Sequence, residues 1–194
     1  YDGSTLVAVT ASNVSSTGFI DGDVVSVAQP DGGVTSGTVA SKTVGTAKPV
    51  TVTGLSLQGG DAANYSIDLA GSGITADITA KPLTASYVGV NRAYNGGVTA
   101  TVVGSSQDIV GTDTVNFSQS AIFSGTEGRN AGTAKPVAVS SIVISGADAA
   151  NYALTATTAS TTADITAKAV TPLYTGVDRV YNGVADTSIS VLGS

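Results

Sequence analysis

Asp61 and Asp148 each open the same five residues, Asp-Ala-Ala-Asn-Tyr, and lie 87 positions apart (148 − 61 = 87). Other segments return at the same interval: "GTAKPV" at 45–50 and 132–137, "TADITAK" at 75–81 and 162–168, and "YVGVNRAYNG" at 87–96 as "YTGVDRVYNG" at 174–183. A chain that repeats itself at a fixed period folds as copies of one unit. Tyr1-Asp2-Gly3 belongs with Tyr94-Asn95-Gly96 and Tyr181-Asn182-Gly183, but its step to the next copy is longer (94 − 1 = 93). The first copy therefore carries about six extra residues, expected before Lys48 in the turn-rich "DGDVVSVAQPDGG", where insertion is tolerated. The chain divides into repeat 1 (1–80, lacking its first strand), repeat 2 (81–167, complete) and the start of repeat 3 (168–194), and reads as a piece of something longer. A unit of this length is the size of a small domain, whereas solenoid repeats run to about 20–50 residues. No Gly/Ser or Pro linker separates the units, which predicts a fairly stiff string of beads.

Composition narrows what each bead can be. The chain is 42% hydrophobic and 11% charged, with a net charge of −6. Disorder needs low hydrophobicity and high charge, so the chain is expected to fold. Its Gly, Thr, Ser, Val and Ala content favours strands and turns. It has no Cys, His, Met or Trp. This removes the ordinary Ser-His-Asp triad, the common zinc sites, thiol redox and disulfides. The acidic balance argues against nucleic acid, and no apolar run reaches the roughly 20 residues of a membrane span.

Within a unit, alternation is strand-like. In "PVTVTGLSL", Val50 and Val52 share one face and Leu55 and Leu57 the next, with a parity slip near Gly54. "PVAVSSIVI" repeats this with Val137 and Val139, then Ile142 and Ile144. A slip inside an alternating strand is the mark of a β-bulge. Tyr65, Ile67 and Leu69, and likewise Tyr152 and Leu154, are expected to face the core. Asp-x-Ala-x-Tyr-x-apolar is the arrangement that immunoglobulin-type sandwiches place at the turn before a late strand. There the Tyr hydroxyl bonds back to upstream backbone and locks a corner. Asp61 and Asp148 are placed to cap the turn's own backbone donors, and Ile67 and Leu154 stand where antibody domains put a cysteine. The expected fold is all-β: tandem immunoglobulin-like β-sandwich domains in an elongated rod. The alternative, a β-grasp-like mostly-β repeat, requires a proper helix, for which "GADAANY" is too short.

Together "YDG", "VGTAKPVTVTGLSLQGGDAANYSI" and "TADITAKPLT" resemble the YDG/MBG-type repeats of large secreted bacterial adhesins, many of them filamentous-haemagglutinin-like exoproteins exported by two-partner secretion. The resemblance covers essentially the whole chain. It implies an extracellular, mostly-β module, arrayed many times in a stalk or biofilm-matrix filament, with neighbouring repeats of the same chain as its partners. Asn replaces Asp in two of the three "YDG" sites, so a carboxylate there is not expected to be essential.

Candidate chemistry is sparse. Acids near turns ("DGDVV" at 21–25, "GTDTV" at 111–115, and Asp77, Asp164 and Asp178) could hold calcium, although no EF-hand spacing is present. Otherwise no cofactor is expected. A Lys–Asn crosslink would need Lys48 or Lys135 beside Asn64 or Asn151 and Asp61 or Asp148. Sequons open at Asn13, Asn64 and Asn116. No catalytic motif is recognisable, and no enzymatic activity is expected. Tyr87, Tyr94, Tyr174 and Tyr181 are the aromatic candidates for a ligand contact, with packing as the competing role.

Overall fold

A computed structural model of the chain describes residues 1–10, 18–28, 34–68, 73–185 and 189–191. The strands are β1 (Leu6–Thr10), β2 (Ser26–Ala28), β3 (Val34–Val39), β4 (Gly45–Val52), β5 (Ser56–Gln58), β6 (Thr75–Ile78), β7 (Lys81–Leu83), β8 (Ser86–Val90), β9 (Arg92–Ala93), β10 (Thr101–Ser105), β11 (Asn116–Phe123), β12 (Gly132–Ser145), β13 (Tyr152–Leu154), β14 (Ala159–Thr166), β15 (Tyr174–Gly176) and β16 (Ile189–Val191). The only helical elements among the described residues are two 3₁₀ turns, Ala62–Asn64 and Ala149–Asn151. The chain is all-β, as its composition and alternation require.

Contacts group the chain into two compact units. One holds Tyr1–Tyr87, Gly104–Ser120 and Val139–Ala159; the other holds Val88–Val103, Ala121–Ala138 and Ser160–Ser194. In the first, β1, β3, β4 and β6 form an antiparallel sheet in that order, β2 pairs with β5, and β7 runs parallel to β13. Its core includes Val39, Leu83, Tyr87, Val139, Ile142 and Tyr152. The second is built on the portions of β11, β12, β14 and β9 that fall within it, with Val102, Phe123, Val137, Ala163 and Ile165 buried. There the Arg92 guanidinium lies 5.0 Å from the Phe123 ring centroid.

At the parity slip both copies adopt positive φ, though in the first the strand breaks between β4 and β5 while in the second β12 runs on through it. Gly54 has φ +88° and its counterpart Ser141 φ +54°, and beyond the slip Ile142 returns to the core. A second irregularity sits at the start of the same strand. Ala47 and Ala134 adopt φ +50° and +47°, a region that is costly for a residue with a Cβ. Each is held there by a carboxylate: the Ala47 N–H donates to Asp77 Oδ1 and the Ala134 N–H to Asp164 Oδ1, both at 2.7 Å. The register between β4 and β6 shifts at this point, between Gly45 and Lys48. The repeated "TAD" is thus the clamp for the repeated "GTAKP".

One core expectation fails. Ile67 is 37% exposed, and Tyr65–Ile67 is not a strand. The equivalent Tyr152–Leu154 becomes β13 by pairing with β7, and no described strand plays that part for Tyr65–Ile67. Leu69 lies outside the described residues.

Gly59 and Gly146 occupy matching places before the two corners, at φ +120° and +113°. A Cβ on Gly146 would sit 2.5 Å from the Thr114 carbonyl oxygen, and on Gly59 2.1 Å from that of Val24. Gly146→Ala is therefore expected to cost about 2–3 kcal/mol, combining backbone strain with a clash. The check is a lower urea midpoint with an unchanged slope.

Candidate functional site

The Asp-Ala-Ala-Asn-Tyr segment folds as a single 3₁₀ turn followed by an extended tyrosine. The expected capping by Asp61 and Asp148 does not occur: neither side chain bonds to its own turn. The turn's donors already have carbonyl partners, Ala62 on Gly59, Asn64 on Asp61 and Tyr65 on Ala62. The carboxylates are then free to reach a distant loop. Asp61 Oδ2 accepts the Val24 N–H (2.9 Å), and the Asp61 N–H donates back to the Val24 carbonyl (3.3 Å). Asp148 and Thr114 make the same reciprocal pair at 2.8 and 3.2 Å.

The tyrosines behave as the corner reading expects. The Tyr65 hydroxyl accepts the Ile20 N–H (2.9 Å) and donates to Asp23 Oδ2 (2.6 Å). The Tyr152 hydroxyl accepts the Val110 N–H (2.8 Å) and donates to Asp113 Oδ2 (2.7 Å). These shared bonds equate Ile20 with Val110, Asp23 with Asp113 and Val24 with Thr114. They also relocate the extra residues of the first copy: three fall before Ile20 (20 − 1 = 19 against 110 − 94 = 16), outside the stretch where all six were expected.

The second corner is larger than the first. The Tyr1 hydroxyl donates to Asp113 Oδ2 at 2.7 Å, and the Lys42 ammonium pairs with Asp113 Oδ1 at 3.0 Å. The Asp113 side chain is 5% exposed. The Tyr1 ring meets Tyr152 edge to face, with centroids 5.6 Å apart. Asn151, buried, accepts the Val44 N–H at 3.0 Å. A Cβ on Gly3 would lie 2.8 Å from Val110 Cγ1, so the glycine of "YDG" admits this valine. The residue before it makes the turn: Ser4 N–H donates to Asp2 Oδ1, Gly97 N–H to Asn95 Oδ1 and Val184 N–H to Asn182 Oδ1. An amide oxygen serves as well as a carboxylate, which is why Asn can stand for Asp there. Thus Tyr1, Gly3, Lys42 and Val44 of the first repeat clasp Val110, Asp113, Asn151 and Tyr152 of the second.

The clasp sets the protonation of its members. The Tyr1 hydrogen bond, aided by those of Tyr152 and Lys42, holds the Asp113 carboxyl below its ordinary range despite burial. The hydrogen bond to Asp113 raises Lys42. Burial, then the bond to Asp113, raises Tyr1, and burial is the largest cause of the rise at Tyr152.

The other sequence candidates fall elsewhere. Tyr87 is in the core, its ring against Gly104 and its hydroxyl unpartnered, so it offers no ligand contact. Tyr94 is half-buried, Tyr174 is 52% exposed and Tyr181 is 90% exposed. The acids considered for calcium are occupied otherwise at Asp23, Asp77, Asp113 and Asp164, while Asp21 and Asp178 are exposed. No group of three or more acids that could hold a metal ion occurs among the described residues. The crosslink triad is not assembled: Lys48 and Lys135 donate to the Thr43 and Glu127 carbonyls, and Asn151 is engaged by Val44. Asn64 and Asn116 are exposed, and Asn13 lies outside the described residues. Sequence reasoning did not assign Asp23, Asp113, Tyr1 or Lys42 to the corner. The available signal was an acid standing one residue before the corner's Asp61 or Asp148 partner in both copies.

The model of the YDG domain family matches residues 1–74 and 79–161. The chain belongs to the YDG domain family. Both matched segments of this YDG chain include a complete Asp-Ala-Ala-Asn-Tyr corner. No curated protein and no solved structure matches the chain.

Asp113→Asn removes the ion pair and weakens two charge-assisted hydrogen bonds, and is expected to cost on the order of 2 kcal/mol at pH 7. The pH dependence has a definite sign. A carboxyl whose folded pKa is depressed contributes stability above its unfolded value, 3.8, and loses that contribution as pH falls through the folded value. Thermal melts between pH 7 and pH 2 are expected to converge for wild type and Asp113→Asn at the acid end. Parallel curves would contradict the assignment.

Proposed function

We propose that this chain is a structural segment of an extracellular bacterial adhesin or biofilm-matrix fibre, in which YDG repeats project or link cells mechanically. The observation that carries this reading is the clasp: one repeat supplies the tyrosine and lysine, and the next supplies the aspartate and tyrosine that receive them. Such a contact ties neighbouring repeats of one chain together, as a load-bearing array needs. The resemblance of "YDG", "GTAKPV" and "TADITAK" to adhesin repeats points the same way, as does the separation of like units without a flexible linker. Tandem immunoglobulin-like sandwiches would give each repeat a length of about 30–40 Å along the fibre, set by strands of ten or so residues plus turns. The low charge and hydroxyl-rich surface would permit lateral packing of neighbouring fibres.

A second reading is that the repeats are themselves glycan- or protein-binding modules. The exposure of Tyr174 and Tyr181 favours it, since exposed aromatics are the usual platform for sugars and for protein hot spots.

Two measurements separate these readings. Stretched by its ends, the 1–194 chain is expected to unfold at higher force than its Asp113→Asn variant at the same loading rate. Equal forces would remove the clasp from the load path. Applied to bacterial and host cell surfaces, the folded monomer is expected to show no saturable binding. Saturable binding that disappears in Tyr94→Ala, Tyr181→Ala would make the repeats adhesive in their own right.

A further inference from the structure

Of the chain's asparagines, only Asn95 and Asn182 precede a glycine. Each stands where the first repeat has Asp2, and Gly3, Gly96 and Gly183 share φ values of +81°, +80° and +81°. An Asn-Gly step offers the least obstruction to attack by the following backbone nitrogen on the side-chain amide carbon, because glycine brings no Cβ.

The surroundings of Asn95 favour that attack. Its Oδ1 accepts the Arg92 Nη1–H at 2.6 Å and the Gly97 N–H at 3.0 Å. Arg92 is itself fixed: Nη1 also donates to the Ala93 carbonyl at 3.1 Å, Nη2 donates to the Gly97 carbonyl at 2.6 Å, and the guanidinium lies over the Phe123 ring. A cation and an N–H on one amide oxygen stabilise the negative charge that develops there when the carbon is attacked. The nucleophile and the leaving group are unencumbered, since neither the Gly96 N–H nor Asn95 Nδ2 has a hydrogen-bond partner among the described residues. Asn95 is exposed to water. Asp2 is exposed as well, with Val110 in place against Gly3, so the turn stays open to water when a corner occupies the glycine beside it. Asn182 repeats the arrangement. Arg179 Nη1 and the Val184 N–H both donate to its Oδ1, and Arg179 Nη2 donates to the Val184 carbonyl.

We propose that Asn95 and Asn182 are self-converting residues, at which Arg92 and Arg179 activate the amide for attack by the following glycine nitrogen and the Tyr-Asn-Gly turn becomes Tyr-Asp-Gly. The inference stands on the turn and does not depend on the adhesin reading. At the first site, Gly96 N bonds to Asn95 Cγ, the Cγ–Nδ2 bond breaks, and Nδ2 departs with the Gly96 amide proton as ammonia. Water then opens the cyclic imide. Addition at Cγ, the carbonyl that Arg92 and the Gly97 N–H polarise, breaks the new N–Cγ bond, returns a proton to Gly96 N and leaves an aspartate in an unaltered backbone. Addition at the main-chain carbonyl would instead give isoaspartate. Asp2 displays the product in place: its Oδ1 accepts the Ser4 N–H at 2.8 Å, as Asn95 Oδ1 accepts that of Gly97. The conversion replaces a neutral partner of Arg92 with a carboxylate, which its fork matches.

The test is peptide mapping of the 1–194 chain during incubation at neutral pH, resolving Asn, imide, Asp and isoAsp forms at both sites. Asn95 is expected to convert at least about fivefold faster in the folded chain than in the same chain held in denaturant, with Asp as the major product. Arg92→Gln is expected to slow conversion at Asn95 at least about fivefold while leaving Asn182 at its wild-type rate, so the second site reports any general loosening of the chain. Slower conversion in the folded chain than in the denatured one would overturn the proposal. So would faster conversion in Arg92→Gln, which would make Arg92 a restraint on the amide, or isoAsp as the major folded-state product. The comparison of folded with denatured wild type decides the matter even if Arg92→Gln fails to fold.

Discussion

The carboxylate of Asp113 is the point on which the rest of the structure turns. It accepts hydrogen bonds from two tyrosine hydroxyls and an ion pair from Lys42, and it is almost wholly out of water. A buried charge is expensive unless its oxygens are satisfied, so the loop that carries Asp113 is held wherever those donors are. Tyr152 arrives from the corner of the same repeat, and Tyr1 and Lys42 arrive from the repeat before. One side chain therefore links the internal lock of a repeat to the contact between repeats. The corner itself is fastened by backbone as well as side chains, through the reciprocal bonds of Asp148 with Thr114. Removing Asp113 would leave this backbone fastening in place while releasing the neighbour.

The same economy shapes the strands. "GTAKP" makes two departures from regular β geometry: an alanine at positive φ and, two residues on, a proline that cannot donate. The aspartate of "TAD" meets the first by accepting the alanine's N–H, and in β4 the proline stands just past the irregularity, where Pro49 is back in register with Thr75. Further along, Gly54 and Ser141 turn the alternation over, so that Ile142 faces inward after Val137 and Val139. The strand β12 contributes Gly132–Ala138 to one compact unit and Val139–Ser145 to the other.

Much of this was legible in the sequence. The period located the repeats, alternation marked out strands, and the parity slip at Gly54 and Ser141 fell on positive φ in both copies. The corner tyrosines were readable because Asp-x-Ala-x-Tyr-x-apolar is a local pattern with a local cause. What escaped depends on contacts between residues far apart in the chain. Asp61 and Asp148 read as caps because a cap is the nearest use of an aspartate before a turn, yet their partners lie 37 and 34 residues away. Tyr1 and Asp113 are 112 residues apart, and no periodicity brings them together. Tyr87 and Tyr94 read alike as aromatic candidates, and packing alone puts the first in the core and leaves the second half-buried. The inward place expected for Ile67 failed because a strand's burial depends on a partner that the residues themselves do not specify.

The Tyr-x-Gly edge of the first repeat is completed by the corner of the repeat that follows it. Amide hydrogen exchange at Val44 and Ala131, read in dilute 1–194, tests this within one molecule. The Val44 N–H is bonded to the buried Asn151, and Ala131 holds the equivalent position in repeat 2, beside which no Asp-Ala-Ala-Asn-Tyr corner stands among the described residues. The account predicts exchange slower by at least about tenfold at Val44, after correction for intrinsic rates. Equal protection at the two amides would mean that the corner does not close on its neighbour in solution, and the clasp would lose its place as the organising contact.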